Sequence, residues 1–132
     1  VRYYNDSKGT NPDAAIKAIR AMPGTTVLIA GGYDKKIPFE PLAEPVNKNV
    51  KILILLGATA DKIEKAVTES PLYPESGLKI VRVKTLEEAV LTAQKMAEKG
   101  DVVTLSPACA SFDLYPNFEE RGRHFKRLVN EL

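Results

Sequence analysis

Five short runs of aliphatic, β-branched and aromatic residues punctuate the chain, at positions 1–4, 26–30, 51–56, 79–83 and 102–105. Two of them, TTVLIA and KILILL, are almost unbroken in their apolar character. A strand with one wet face alternates apolar and polar residues, so an unbroken run predicts cover on both faces, as in a parallel sheet. Between the runs the apolar period lengthens to that of a helix. Asn11 and Pro12 read as an N-cap and first helical residue, Ala15, Ile16, Ile19 and Met22 share one face, and Pro23-Gly24 stops the helix. Thr85 with Glu88 three residues on reads as a capping box, ahead of a stripe of Leu86, Ala89, Val90, Ala93 and Ala97 that Gly100 closes. Asn117 and Glu120 repeat the signal before Phe118, Phe125, Leu128, Val129 and Leu132. A weaker helix is expected over 60–69, and a short one, interrupted by prolines, over 39–46.

Strands alternating with helices predict an α/β domain: three Rossmann-like layers, with a mainly parallel sheet flanked by helices. No internal repeat, low-complexity segment or dividing linker breaks the chain, so residues 1–132 read as one domain. In such sheets ligands collect at the carboxyl ends of the strands. That singles out the loops at 5–11, 31–38, 57–59, 84–85 and 106–117.

Composition narrows the function. The 132 residues are 44% hydrophobic and 27% charged, with a net charge of +2 spread over interleaved signs. A nucleic-acid binder would show a basic stripe or an aromatic ladder, and aromatics are 7% here. No run nears the roughly 20 apolar residues of a membrane helix, and no secretory leader is visible. One cysteine and one histidine provide neither a disulfide framework nor a zinc cluster, and the lone thiol suits the reducing cytoplasm. Because the chain opens on Val1 rather than Met, it reads as a piece of a longer protein.

Three loops carry candidate chemistry. NDSKGTN sets Asn5, Asp6, Ser7, Lys8, Thr10 and Asn11 between a strand and a helix start, where backbone N–H groups and the helix dipole welcome an anion. The same residues also make an ordinary turn. AGGYDKK bends at Gly31-Gly32 and places Lys35 and Lys36 at its mouth, but matches neither the dinucleotide fingerprint nor the phosphate loop. After Pro107, the run Ala108, Cys109, Ala110, Ser111 is small enough to let a ligand approach the main chain, with Phe112 and Phe118 as walls. Cys109 reads as a small core residue rather than a nucleophile paired with His124, and neither Ser106 nor Ser111 sits in a nucleophile elbow. These features suit a small anionic ligand.

The stretches NDSKGTNPDA, LIAGGYDK and DVVTLSPACASFDLYPNFEERGRHFK resemble the C-terminal domain of the Mur ligases. SPACASFD followed by NFEERG resembles the branch that adds D-glutamate, whereas DSKGTN in related forms is shared with folylpolyglutamate synthases. The resemblance implies an ATP-dependent amide-bond ligase of cytoplasmic peptidoglycan synthesis. Its substrates would be UDP-N-acetylmuramoyl-L-alanine, D-glutamate and ATP, and it would pass through an acyl phosphate. Upstream domains, absent here, would hold the UDP-substrate, the phosphate loop and most ligands of Mg. By position in the motifs, Lys35, Thr10, Ser111 and the backbone at Phe112 would hold D-glutamate, with Phe118 beside it. Lys8 would lie near the phosphate or amino-acid end, and Asp6 with Asn5 would meet ATP. No catalytic residue is carried over, and the fragment alone is expected to be inactive. The Gly-x-x-His-Arg stretch that leads into such domains is missing, so Val1 is expected midway through the first hairpin. Two alternatives stay open: a stand-alone module binding a small anion, and a folylpolyglutamate synthase-like domain.

Overall fold

A computed structural model describes residues 2–7, 10–22, 25–32, 36, 38–109 and 115–132. Its strands are β1 (Arg2–Asn5), β2 (Thr26–Ala30), β3 (Val50–Leu55), β4 (Lys79–Arg82) and β5 (Val102–Leu105). The helices are α1 (Pro12–Ala21), α2 (Ala43–Asn49), α3 (Ala60–Thr68), α4 (Tyr73–Ser76), α5 (Leu86–Met96) and α6 (Phe118–Asn130). The strands form one sheet in the order β1-β5-β2-β3-β4, and every pairing is parallel.

The unbroken apolar runs are explained by two cores, one on each face. Val27, Ile29, Ile52, Ile54, Val103 and Leu105 pack with Leu86, Ala89, Val90 and Ala93 of α5 and Phe125 of α6. The intervening Leu28, Ala30, Leu53 and Leu55 turn the other way, onto Ala15 and Ile19 of α1, Val46 of α2, and Ile63 and Val67 of α3. This is the three-layer arrangement expected. From β1 to β4 the chain travels one way across the sheet with its helices on one face. After β4 it reverses, α5 crosses the opposite face, and β5 enters between β1 and β2. A constant crossover hand requires the helix to change face when the direction of travel changes.

The caps form as the sequence predicts. Asn11 Oδ1 accepts from Ala14 N at 2.9 Å, Thr85 Oγ1 from Glu88 N at 3.1 Å, and Asn117 Oδ1 from Glu120 N at 2.9 Å. Glu88 returns its carboxylate to Lys84 N at 3.0 Å, one residue before the cap.

Several boundaries differ from expectation. The prolines near position 40 begin helical structure rather than interrupt it. Pro41 lies in a 3₁₀ turn, Glu40–Leu42, and Pro45 in the first turn of α2, where a helix needs no backbone donor. The fifth helix stops at Met96 on an extended Ala97, short of Gly100. The four-residue α4 is too short to leave a periodic signature. On α6, Phe125 is buried while Phe118 is exposed, as is Leu132 beyond the helix end.

Candidate functional site

Parallel strands deliver all their carboxyl ends to one edge of the sheet, and here four of those ends are tied together. Past β1, Asp6 N donates to Leu105 O at 2.8 Å, and its Oδ2 accepts from Ser106 Oγ at 3.3 Å. Past β2, Gly31 N donates to Pro107 O at 2.9 Å and Gly32 N to Thr59 Oγ1 at 3.0 Å. Thr59, in the loop after β3, is fully buried, and its Oγ1 lies 3.2 Å from Cys109 Sγ. The loops after β1, β2, β3 and β5 therefore share one hydrogen-bonded floor.

Two backbone features shape that floor. Gly31 has φ +119°, and a Cβ built on it would sit 1.9 Å from Leu56 O, so only glycine fits. Ala108 is buried with φ +63°, a conformation that costs a non-glycine residue about 1 kcal/mol or more. It carries the chain from β5 into that floor.

The β1–α1 loop docks onto the first two turns of α6. Asn5 Nδ2 donates to Gly122 O at 2.8 Å, while its Oδ1 accepts from Ser7 N at 3.2 Å. Ser7 Oγ donates to Phe118 O at 2.7 Å. The contact is close: a Cβ on Gly122 would lie 3.2 Å from Ser7 Cβ. Sequence reasoning missed Arg121, which is only 4% exposed. Its Nε donates to Ser7 Oγ at 2.9 Å, one terminal nitrogen to Ser7 O at 2.7 Å and the other to Cys109 O at 3.1 Å. A signal was available, since position 121 falls between Phe118 and Phe125 at helical spacing, on the apolar stripe.

Of the residues singled out from sequence, Lys8, Lys35, Ser111 and Phe112 lie outside the described residues, as does Ala110. Asn5, Asp6 and Phe118 are brought together as above, and half-buried Thr10 directly precedes the Asn11 cap. Ser7 proves a structural hydroxyl rather than an open anion donor. Asp13 in the first turn of α1 already complements the helix dipole. Ala108 and Cys109 belong to the core, so their small size serves internal packing. His124 pairs through Nδ1 with Tyr115 Oη, and buried Cys109 faces a neutral hydroxyl, so neither is set up as a nucleophile–base pair. Burial raises the Tyr115 phenol above its ordinary pKa against the pull of Arg121 and Arg127. Among the described residues no group of three His, Cys, Asp or Glu could hold a metal ion, and no helix is long and apolar enough to cross a membrane.

Residues 1–109 match the family model described as Mur ligase, glutamate ligase domain. The chain belongs to that family. The Mur ligase domain is 54% identical over all 132 residues to a UDP-N-acetylmuramoylalanine–D-glutamate ligase of Clostridium botulinum strain Kyoto, covering 29% of that protein. A protein of the same name from Caldanaerobacter subterraneus is also 54% identical over the whole chain, with 29% of its length covered. The domain thus spans under a third of the length of these curated relatives. Solved structures repeat the fold at low identity. A UDP-N-acetylmuramoyl-L-alanyl-D-glutamate–2,6-diaminopimelate ligase aligns with TM-score 0.55 and 16% identity, over 78% of this chain and 23% of that one. A UDP-N-acetylmuramate–alanine ligase from Thermotoga maritima aligns with TM-score 0.53 and 12% identity, over 92% of this chain and 25% of that one.

Proposed function

We propose that this Mur ligase domain is the C-terminal, amino-acid-binding part of a cytoplasmic ATP-dependent ligase that joins D-glutamate to UDP-N-acetylmuramoyl-L-alanine in peptidoglycan synthesis. The observation that carries the reading is 54% identity across every residue of the chain to proteins named for that reaction. It weighs against the folylpolyglutamate alternative and against a module without turnover. In the reaction the acceptor's carboxylate oxygen attacks the γ-phosphorus of ATP and ADP leaves. The D-glutamate amine then attacks the acyl carbon, phosphate departs and the nitrogen loses a proton.

The domain's share is to bind and aim D-glutamate. Thr10, Lys35, Ser111 and the Phe112 backbone are assigned to its carboxylates, with Phe118 alongside and Lys8 at the phosphate or amino-acid end. Asp6 and Asn5 are assigned to ATP, from a loop held by Ser106, Gly122 and Ser7. A dicarboxylate needs several donors converging from separate loops, and four strand-end loops here are fixed to one another. Among the described residues no group of three His, Cys, Asp or Glu fits a metal ion, and most ligands of Mg, like the phosphate loop and the UDP-sugar site, are assigned to upstream domains. That division leaves the 132 residues without turnover of their own.

The test is Lys35→Ala in the full-length ligase. Loss of a charge-assisted hydrogen bond, about 1.5–3 kcal/mol, raises the D-glutamate KM roughly 10- to 150-fold. The KM for the UDP-substrate stays put. Unchanged D-glutamate kinetics would return Lys35 to a solvated turn.

A further inference from the structure

We propose that Arg121 is a positioning residue that couples two loops carrying residues assigned to D-glutamate, the loop after β1 and the loop after β5. The proposal rests on the ligase reading for its kinetic arm only. Arg121 stands in the first turns of α6 with its guanidinium buried, and three of its N–H groups go to Ser7 Oγ, Ser7 O and Cys109 O. Two of these acceptors are main-chain carbonyls, so the side chain holds the path of both loops rather than one rotamer. Ser7 immediately precedes Lys8, and Cys109 lies two residues before Ser111. The lock extends through Ser7 Oγ to Phe118 O, which sets the first residue of α6 against the same loop. A planar fork reaches three acceptors in fixed directions, whereas a lysine ammonium is a point charge on a flexible stem and cannot span them. The coupling therefore depends on guanidinium geometry and not on charge alone. Because an error of about 1 Å in the placement of a reacting group can cost on the order of a hundredfold in rate, a coupled pair of loops matters to catalysis without touching the substrate.

The experiment compares full-length wild type with Arg121→Lys, Arg121→Gln and Ser7→Ala. Ser7→Ala removes only the shared hydroxyl and is the milder variant should the arginine changes prevent folding. Hydrogen exchange is read at amides 5–7 and at those of Ser106, Ala108 and Cys109, and steady-state kinetics are measured for each substrate. Expected is faster exchange in both loops together while β2 and β3 keep their protection. The D-glutamate KM rises roughly tenfold or more, and the KM for the UDP-substrate stays within about twofold. Arg121→Lys should resemble Arg121→Gln rather than rescue. Three results would overturn the proposal: exchange rising in one loop only, protection lost evenly across the sheet, or full rescue by lysine. If wild type ligates no D-glutamate, the functional reading falls while the exchange measurement still decides the coupling.

Discussion

Replacing Gly31 by alanine tests whether the strand-end floor is as tight as its geometry states. The added Cβ would meet Leu56 O at 1.9 Å, with Leu56 C at 3.0 Å and Leu56 N at 3.1 Å. All three are backbone atoms at the end of a central strand, so no side chain can swing aside. Relief requires the segments to part, which stretches Gly31 N to Pro107 O (2.9 Å) and Leu56 N to Ala30 O (3.1 Å). Adding about 1–3 kcal/mol for an alanine forced to this φ to about 1 kcal/mol for each weakened bond gives a loss of about 3–5 kcal/mol. At about 2.1 cal/mol/K per residue, a chain of this length loses about 3–4 °C per kcal/mol, so Tm should fall by roughly 10–18 °C. Gly77 is the internal control: its φ is +71°, but a Cβ there meets nothing within 4 Å. Gly77→Ala carries the conformational cost alone, about 1 kcal/mol and therefore about 3–4 °C. Thermal unfolding followed by circular dichroism on both variants is sufficient. Equal shifts would refute the claim that contact with Leu56, rather than φ alone, dictates glycine at position 31.

Two further outcomes follow from the structure. Burial raises the Asp101 carboxyl, but the Lys51 ammonium at 2.8 Å and the Glu98 N–H at 2.8 Å more than offset it, leaving its pKa below the ordinary value. A lowered carboxyl pKa contributes stability that is fully present above the unfolded value of about 3.9 and lost as pH falls through the folded one. Asp101→Asn should thus lower Tm by a few degrees at neutral pH, with the gap to wild type closing in acid; a gap independent of pH would show that the charge is not involved. Cys109, 2% exposed and packed behind Thr59, should react with a thiol reagent only as fast as the fold opens. Rapid labelling under native conditions would show that the end of β5 opens locally.

Much of the fold was legible because burial on two faces leaves a plain trace. The runs TTVLIA and KILILL could not belong to a half-wet sheet, and the caps at Asn11, Thr85 and Asn117 are short-range chemistry that three or four residues encode. What escaped depended on distant partners. Gly31 could be read as a bend, but not as a contact with Leu56, 25 residues on. Ser7 looked like an open donor because nothing local shows that Phe118 O and Arg121 claim its hydroxyl across more than a hundred residues. The small residues after Pro107 suggested room for a ligand, while Ala108 and Cys109 are small to pack the core. Arg121 was the costliest omission, since a charge on an apolar stripe is a readable sign of burial.

The place of β5 in the sheet also governs when the strand-end floor can exist during synthesis. Among the described residues β1 has β5 as its sheet neighbour, with Arg2 opposite Val102 and Asn5 opposite Leu105. Within these residues β1 must therefore wait for β5, about a hundred positions later, before that pairing can form. On the ribosome, β2, β3 and β4 can assemble as a contiguous parallel unit, while the loop bearing Asn5 and Asp6 stays unanchored until residues beyond 105 have emerged. Pairs of such high sequence separation are slow to close, because the loop-closure entropy comes before any contact rewards it. A nascent chain stalled before β5 would carry β2, β3 and β4 and none of the hydrogen bonds that tie the strand-end loops to Leu105, Pro107 and Cys109. Closure of the strand-end floor is thereby a late, single event tied to β5 and the residues just after it.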